Sequence, residues 1–160
     1  MTLNILTYPH PTLRQKSREL THEEILNPEF KKFVQDLGET MIKNDGIGLA
    51  APQVNKLIRV VVVNIDNKPK EFINPKIIRK SWRKNIMEEG CLSLPGIFGQ
   101  VKRPATITLK YIDLNTQEHK TKISGLPARV LQHEIDHLEG ILFIDRMTKN
   151  NFKIPTLNKN

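Results

Sequence analysis

The sequence predicts an α+β fold, with antiparallel or mixed strands packed around a central helix that carries "HEIDH" (133–137) and a second long helix nearer the N-terminus. Two observations predict it. Two segments carry apolar residues at helical spacing, and the strand-like runs cluster between them instead of alternating with helices. A length of 160 residues adds that one domain is expected, with a core large enough to stand without staples.

Taken in order, the elements run as follows. The N-terminal segment holds Pro9, Pro11 and Pro28 and is expected to be irregular, wrapping the surface. "NPEFKKFVQDLGETMIKNDG" reads as the first long helix, with Asn27 as N-cap and Pro28 in the first turn. Phe30, Phe33, Val34, Leu37 and Met41 form its apolar stripe, and Gly46 is expected to end it in a left-handed cap. "LIRVVVVNI" (57–65) is β-branched and reads as a strand buried on both faces. "EFINPKII" (71–78) is a weaker strand, which Pro75 confines to an edge or a bend. "ATITLKYIDL" (105–114) alternates apolar and polar residues, "LNTQ" offers a turn, and "EHKTKI" (118–123) pairs back as a hairpin. "LPARVLQHEIDHLEG" is the second long helix, with Pro127 in its first turn and Gly140 at its end. Residues 1–147 are read as one catalytic domain and 148–160 as a basic, disordered tail.

Composition narrows the class. Hydrophobic residues at 38% and charged residues at 26% are ordinary for a globular chain. No apolar run approaches the roughly 20 residues of a membrane-spanning helix, so no membrane partner is expected. The start carries no secretory or transit pattern. The single cysteine, Cys91, cannot form an intrachain disulfide and fits a reducing compartment. A missing transit pattern also fits a mature form, so a cytoplasmic location is expected with an organelle left open, and a monomer is expected. The net charge of +8 favours anionic partners such as RNA or a ribosome surface, against the plain alternative of a solvated basic surface.

The chemistry starts at "QHEIDH". His133 and His137 are four residues apart, about one helical turn, so both rings lie on one face. Leu126 and Val130 continue that face backward, which turns the histidines towards the apolar interior. Two imidazoles so placed suit zinc, iron or nickel, and Glu134 beside them suits a base for a metal-activated water. The competing reading is two core histidines with an accidental glutamate between them. A catalytic metal needs a third protein ligand. Phe143 stands where some zinc peptidases carry a third histidine, and the downstream acids Glu139 and Asp145 lie too close to the helix end. The third ligand must then come from upstream, where Cys91 sits beside Gly90 in "EGCLSLPG". A thiolate is a strong soft ligand, although a lone cysteine is more often a small buried hydrophobe. Three ligands leave a position open for water, as a catalytic site requires.

"GIGLAAPQ" (46–53), "EGCLSLPG" (89–96) and "QHEIDHLEG" (132–140), in that order, resemble the three signature motifs of the peptide deformylase family. The resemblance extends over roughly residues 5 to 147, including "YPHPTLRQKS" and "GLPARVLQHEIDHLEGILFIDRM". It implies a metal-dependent hydrolase that removes the formyl group from the N-terminal formyl-methionine of new polypeptides and releases formate. It implies one divalent ion, Fe(II) in cells with zinc, nickel or cobalt able to replace it, held by Cys91, His133 and His137. Glu134 would move the proton, while the Gln53 amide and the Leu92 N–H would stabilise the oxyanion. Ile47, Gly48 and Gly90 would meet the substrate backbone, and Leu126, Val130 and Met87 would line the methionine pocket. Glu89 and Arg103 would pair to hold the cysteine loop. The substrate's source and the basic tail suggest a ribosome contact. Two other classes remain open: a zinc peptidase with a downstream ligand, and a non-catalytic RNA or ribosome binder that keeps a structural metal.

Overall fold

The computed structural model describes residues 1–148; the expected tail lies outside the described residues except for Thr148. The N-terminal segment is less loose than its prolines suggest. It contains a short helix, α1 (His22–Leu26), closed by a reciprocal capping box between Thr21 and Glu24, and it buries Leu13, Leu20 and Ile25.

α2 (Pro28–Lys43) follows as expected, with the Asn27 side chain accepting from the Glu29 N–H and Pro28 opening the first turn. Its end differs from expectation. Asp45, not Gly46, takes the left-handed conformation at φ 54°, and the Gly46 N–H closes back on the Met41 carbonyl at 2.9 Å. Gly46 is needed for space instead: a Cβ there would stand 2.9 Å from Leu92 Cδ1.

β1 (Gly48–Ala50) is a three-residue strand that the sequence does not announce. β2 (Val60–Ile65) is buried on both faces over Val60–Val63, as the valine run predicts. Each of those valines contributes roughly 1.5–3 kcal/mol by leaving water. β3 (Lys68–Lys80) is longer than expected and lies mid-sheet, not at an edge. Pro75 is tolerated there because the register slips between Ile73 and Lys76, so a bulge takes the place of the missing ladder bond. β4 (Lys84–Cys91) and β5 (Leu94–Pro104) form a separate antiparallel ribbon. β6 (Thr106–Ile112) and β7 (Glu118–Ser124) make the expected hairpin. α3 (Gly125–Leu138) carries "HEIDH" and ends at Gly140, whose φ of 71° gives the left-handed cap.

The larger sheet runs β1-β2-β3-β6-β7, antiparallel throughout. Strand alternation sends side chains to two cores. Val60, Val62 and Ile73 meet Val34, Leu37 and Met41 of α2. Val61, Val63, Phe72, Ile107 and Leu109 meet Ala128, Val130, Leu131 and Ile135 of α3. A third cluster of Leu13, Leu94, Val101, Leu142 and Phe143 seats the β4–β5 ribbon. The fold is therefore α+β, with α3 central and the cysteine at the end of β4 brought to its histidines.

Candidate metal centre

Cys91, His133 and His137 converge, with their ligand atoms all within 4.8 Å of one another. Cys91 Sγ lies 3.3 Å from His137 Nε2. Both histidines are buried on the inward face of α3, as the spacing predicts. Phe143 is buried and stacks on the His133 ring with centroids 5.9 Å apart, so it supports the ring rather than supplying a ligand. The downstream acids are engaged elsewhere: Glu139 pairs with Arg59 and Lys16, and Asp145 pairs with Arg14. A soft thiolate with two imidazoles, gathered this closely, is a donor set that fits a divalent transition metal.

One of the two histidines is oriented from behind. His133 Nδ1 lies 2.8 Å from Glu89 Oε1, which leaves Nε2 for a metal. Arg103 grips the same carboxylate through Nε at 2.7 Å and Nη2 at 2.9 Å, and Arg129 Nη1 adds a bond of 2.6 Å. Arg103 also reaches Asp136 Oδ2 at 2.8 Å, and Asp136 in turn holds Arg146. The Glu89–Arg103 pair is thus part of a larger buried lattice. Arg129 and Asp136 escape sequence reasoning because their partners Glu89 and Arg103 are remote in the chain, and Arg146, ten residues from Asp136, lies past the end of α3 where no spacing rule marks the pair. Burial works against a charged Glu89, but its bonds to Arg103 and His133 hold its pKa well below the ordinary carboxylate range. Burial likewise opposes a charged His133, yet bonds to Cys91 and Glu89 raise its pKa to about 10. His137 moves the other way, because burial and the neighbouring His133 charge both keep it neutral.

Glu134 is buried, its Oε2 has no hydrogen-bond partner among the described residues, and burial raises its pKa to about 7. Gly48 of β1 lies directly against it, since a Cβ on Gly48 would stand 2.5 Å from Glu134 Oε1 and 2.7 Å from Val130 Cγ1. Gln53 is buried and anchored. Its Oε1 accepts from the Ala50 N–H at 2.8 Å, and its Nε2 faces Ser93 Oγ at 3.1 Å and Cys91 Sγ at 3.5 Å.

A cleft of ≈ 480 Å³ opens over this centre. Its lining includes every other residue singled out in the sequence: Ile47, Gly48, Gln53, Met87, Gly90, Leu92, Leu126 and Val130. Ile47, Met87 and Leu126 are exposed at its walls and Val130 is buried at its base. Phe98, also exposed in the wall and lying against Gly90, is a lining residue that the sequence did not signal, because nothing identifies β5 as a cleft wall. The remaining histidines stay apart from the centre. His119 pairs with Asp113 Oδ2 at 2.7 Å and stacks on Tyr111.

Residues 2–153 match the family model described as polypeptide deformylase. A peptide deformylase of Chlorobaculum parvum is 47% identical over 156 residues, covering 93% of this chain and 81% of that protein. One from Rhizobium meliloti is 41% identical over 91% of this chain and 84% of its own. Among solved structures, the Thermotoga maritima enzyme superposes with a TM-score of 0.88 at 37% identity, covering 92% of this chain and 99% of that one. An Acinetobacter baumannii enzyme bound to Met-Ala-Ser superposes with a TM-score of 0.87 at 31% identity, covering 92% and 99%. The chain therefore belongs to the metal-dependent polypeptide deformylase family, the hydrolases that remove the formyl group from the N-terminal formyl-methionine of newly made polypeptides and release formate.

Proposed function

We propose that Cys91, His133 and His137 hold the ion and that Glu134 handles the proton in formyl removal. The observation that carries this reading is the convergence of three ligand atoms within 4.8 Å beside a buried carboxylate oxygen that has no partner among the described residues. The donor set suits Fe(II) in cells, with zinc, nickel or cobalt as replacements. Such an ion supplies Lewis acidity and lowers the pKa of water.

The chain's own residues do the rest. Glu134 takes a proton from the attacking water and returns it to the leaving amine, a role that its lifted pKa suits. The Gln53 amide and the Leu92 backbone N–H donate to the developing oxyanion. Gln53 is pre-organised for this, because its bond from Ala50 fixes which way the amide points. Ile47, Gly48 and Gly90 meet the substrate backbone as an added strand. Leu126, Val130 and Met87 accept the methionine side chain, and their place in the cleft lining supports that assignment.

Residues 1–147 act as a single catalytic domain, and the protein works as a cytoplasmic monomer. The basic segment 148–160 contacts the ribosome. Truncation after Arg146 should then weaken ribosome binding at low salt, and unchanged binding would remove that role.

The ligand assignment is tested by metal content. Cys91→Ser, His133→Ala and His137→Ala should each purify folded with far less than one equivalent of ion. Full metal content in Cys91→Ser would overturn the set.

A further inference from the structure

The sheet face on the α2 side is apolar where α2 covers it, at Val60, Val62, Ile73, Ile112 and Leu114. Farther along the same strands it becomes a field of cations. Lys76 of β3 lies directly opposite Lys110 of β6, which lies directly opposite Lys120 of β7. The next row places Arg79 opposite Thr108 and Thr108 opposite Lys122. All five cations are exposed. Strands are about 4.8 Å apart, so three lysines in one row repel one another and weaken the sheet locally. The β3–β4 turn extends the field with Lys80, Arg83 and Lys84, and between them Trp82 stands 98% exposed.

Residues 74–87, 105–112 and 118–124 together hold eight lysines and arginines and one acid, Glu118. Glu118 approaches Lys110 at 3.4 Å, and both are solvent-exposed. The other seven cations make no ion pair among the described residues.

We infer that this face is a docking surface for single-stranded RNA, with the sugar-phosphate backbone crossing the lysine rows and a base stacked on Trp82. Charge complementarity selects a polyanion. Rows of cations across a sheet offer phosphates a repeated set of contacts, and an uncovered indole offers a base its flat face. A lipid surface fits less well, because the exposed large apolar residues beside Trp82 are only Ile78, Ile86 and Met87, set among the five cations of residues 74–87. The placement also bears on the reaction. β4 begins in this basic corner at Lys84 and ends in the metal centre at Cys91. RNA held at the corner would therefore lie about 20–25 Å along β4 from Cys91, a short reach for an emerging chain.

Trp82 is the chain's only tryptophan, so its emission reports the surface directly. The test titrates the full, metal-loaded chain with a fluorescently labelled twelve-nucleotide oligouridylate, following Trp82 emission and RNA anisotropy. The expected result is saturable binding that quenches Trp82 and weakens with salt, at a log–log slope of about −0.7 per phosphate contacted. Lys76→Glu/Lys110→Glu/Lys120→Glu should weaken binding about tenfold or more, and Trp82→Ala about tenfold, by anisotropy. Both variants should release formate from a short N-formyl-methionyl peptide at the parent rate. Absence of binding at low salt would overturn the inference. So would binding that leaves Trp82 emission and the Trp82→Ala affinity unchanged, since that is mere ion exchange. Tighter binding to phosphatidylglycerol vesicles than to RNA, with a blue shift, would assign the face to a membrane surface instead.

Discussion

His133 Nδ1 and Glu89 Oε1 lie 2.8 Å apart, and the same carboxylate is gripped through two bonds by Arg103. The orientation of a proposed metal ligand is thus fixed by an ion pair that spans β4, β5 and α3. Replacing Glu89 by alanine removes His133's orienting partner and leaves Arg103 and Arg129 buried without their shared carboxylate. The expected loss is about 3–5 kcal/mol of stability, because an unpaired buried charge costs more than the pair contributes. Metal affinity should fall about 10–100-fold. Denaturant unfolding and competitive metal titration check the two effects separately. Unchanged metal affinity would mean that His133 does not depend on Glu89.

The closeness of β1 to α3 makes a second prediction. A methyl group at Gly48 would lie 2.5 Å from Glu134 Oε1, 2.7 Å from Val130 Cγ1 and 2.8 Å from Glu134 Cγ. Neither side chain is free to retreat, since both are buried. Gly48→Ala should cost about 1–3 kcal/mol in stability through overpacking. It should also lower kcat by about 100-fold or more if Glu134 moves the proton as proposed, because displacing that group by an ångström is enough to spoil alignment. Gly38→Ala, on α2 and outside the cleft lining, is the control, because its Cβ would crowd Pro69 Cβ at 2.9 Å and so should cost stability without lowering kcat in the same way. Equal losses in the two variants would argue against the special place of Gly48.

Metal uptake should depend on pH with a definite sign. In the metal-free protein His133 keeps its proton up to about pH 10, because Cys91 and Glu89 outweigh the effect of burial. A histidine that coordinates must give that proton up, and a coordinating cysteine must be a thiolate. Protons and metal therefore compete, and affinity rises as pH rises. Between pH 6 and 8 the apparent affinity for zinc should increase about tenfold per pH unit for each proton displaced. Calorimetry in buffers of different ionisation enthalpy counts the protons released. Affinity that is flat with pH would contradict the ligand set.

The two long helices and the convergence of His133 and His137 on one buried face were legible because each carries a local signal. Asn27 before Pro28 marks the start of α2, and Gly140 marks the end of α3. The i, i+4 spacing of His133 and His137 puts both on the face that becomes buried. The β4–β5 ribbon was not legible, because β4 is exposed over most of its length and "KNIMEEG" shows no apolar alternation. Pro75 left an edge and a bend both open, and the choice was hidden for a related reason: the bulge that accommodates it depends on pairing with β6, more than thirty residues away. Gly46 was expected to supply a conformation and instead supplies space, which only the position of Leu92 reveals. The Arg103, Arg129 and Asp136 lattice was hidden in the same way, since its bonds join residues remote in sequence.

The most direct test of the site is formate release from an N-formyl-methionyl peptide by the cobalt- or nickel-loaded chain, prepared without oxygen, beside its Glu134→Gln variant. Glu134 is outside the three-ligand cluster, so the variant should keep its ion while kcat falls by about 10²–10⁴. Metal content measured on the same samples separates lost chemistry from lost binding. Rapid release by the parent and near-silence from a fully metal-loaded Glu134→Gln is the result expected. Undiminished release by that variant would show that another group moves the proton, and the site as drawn here would be wrong.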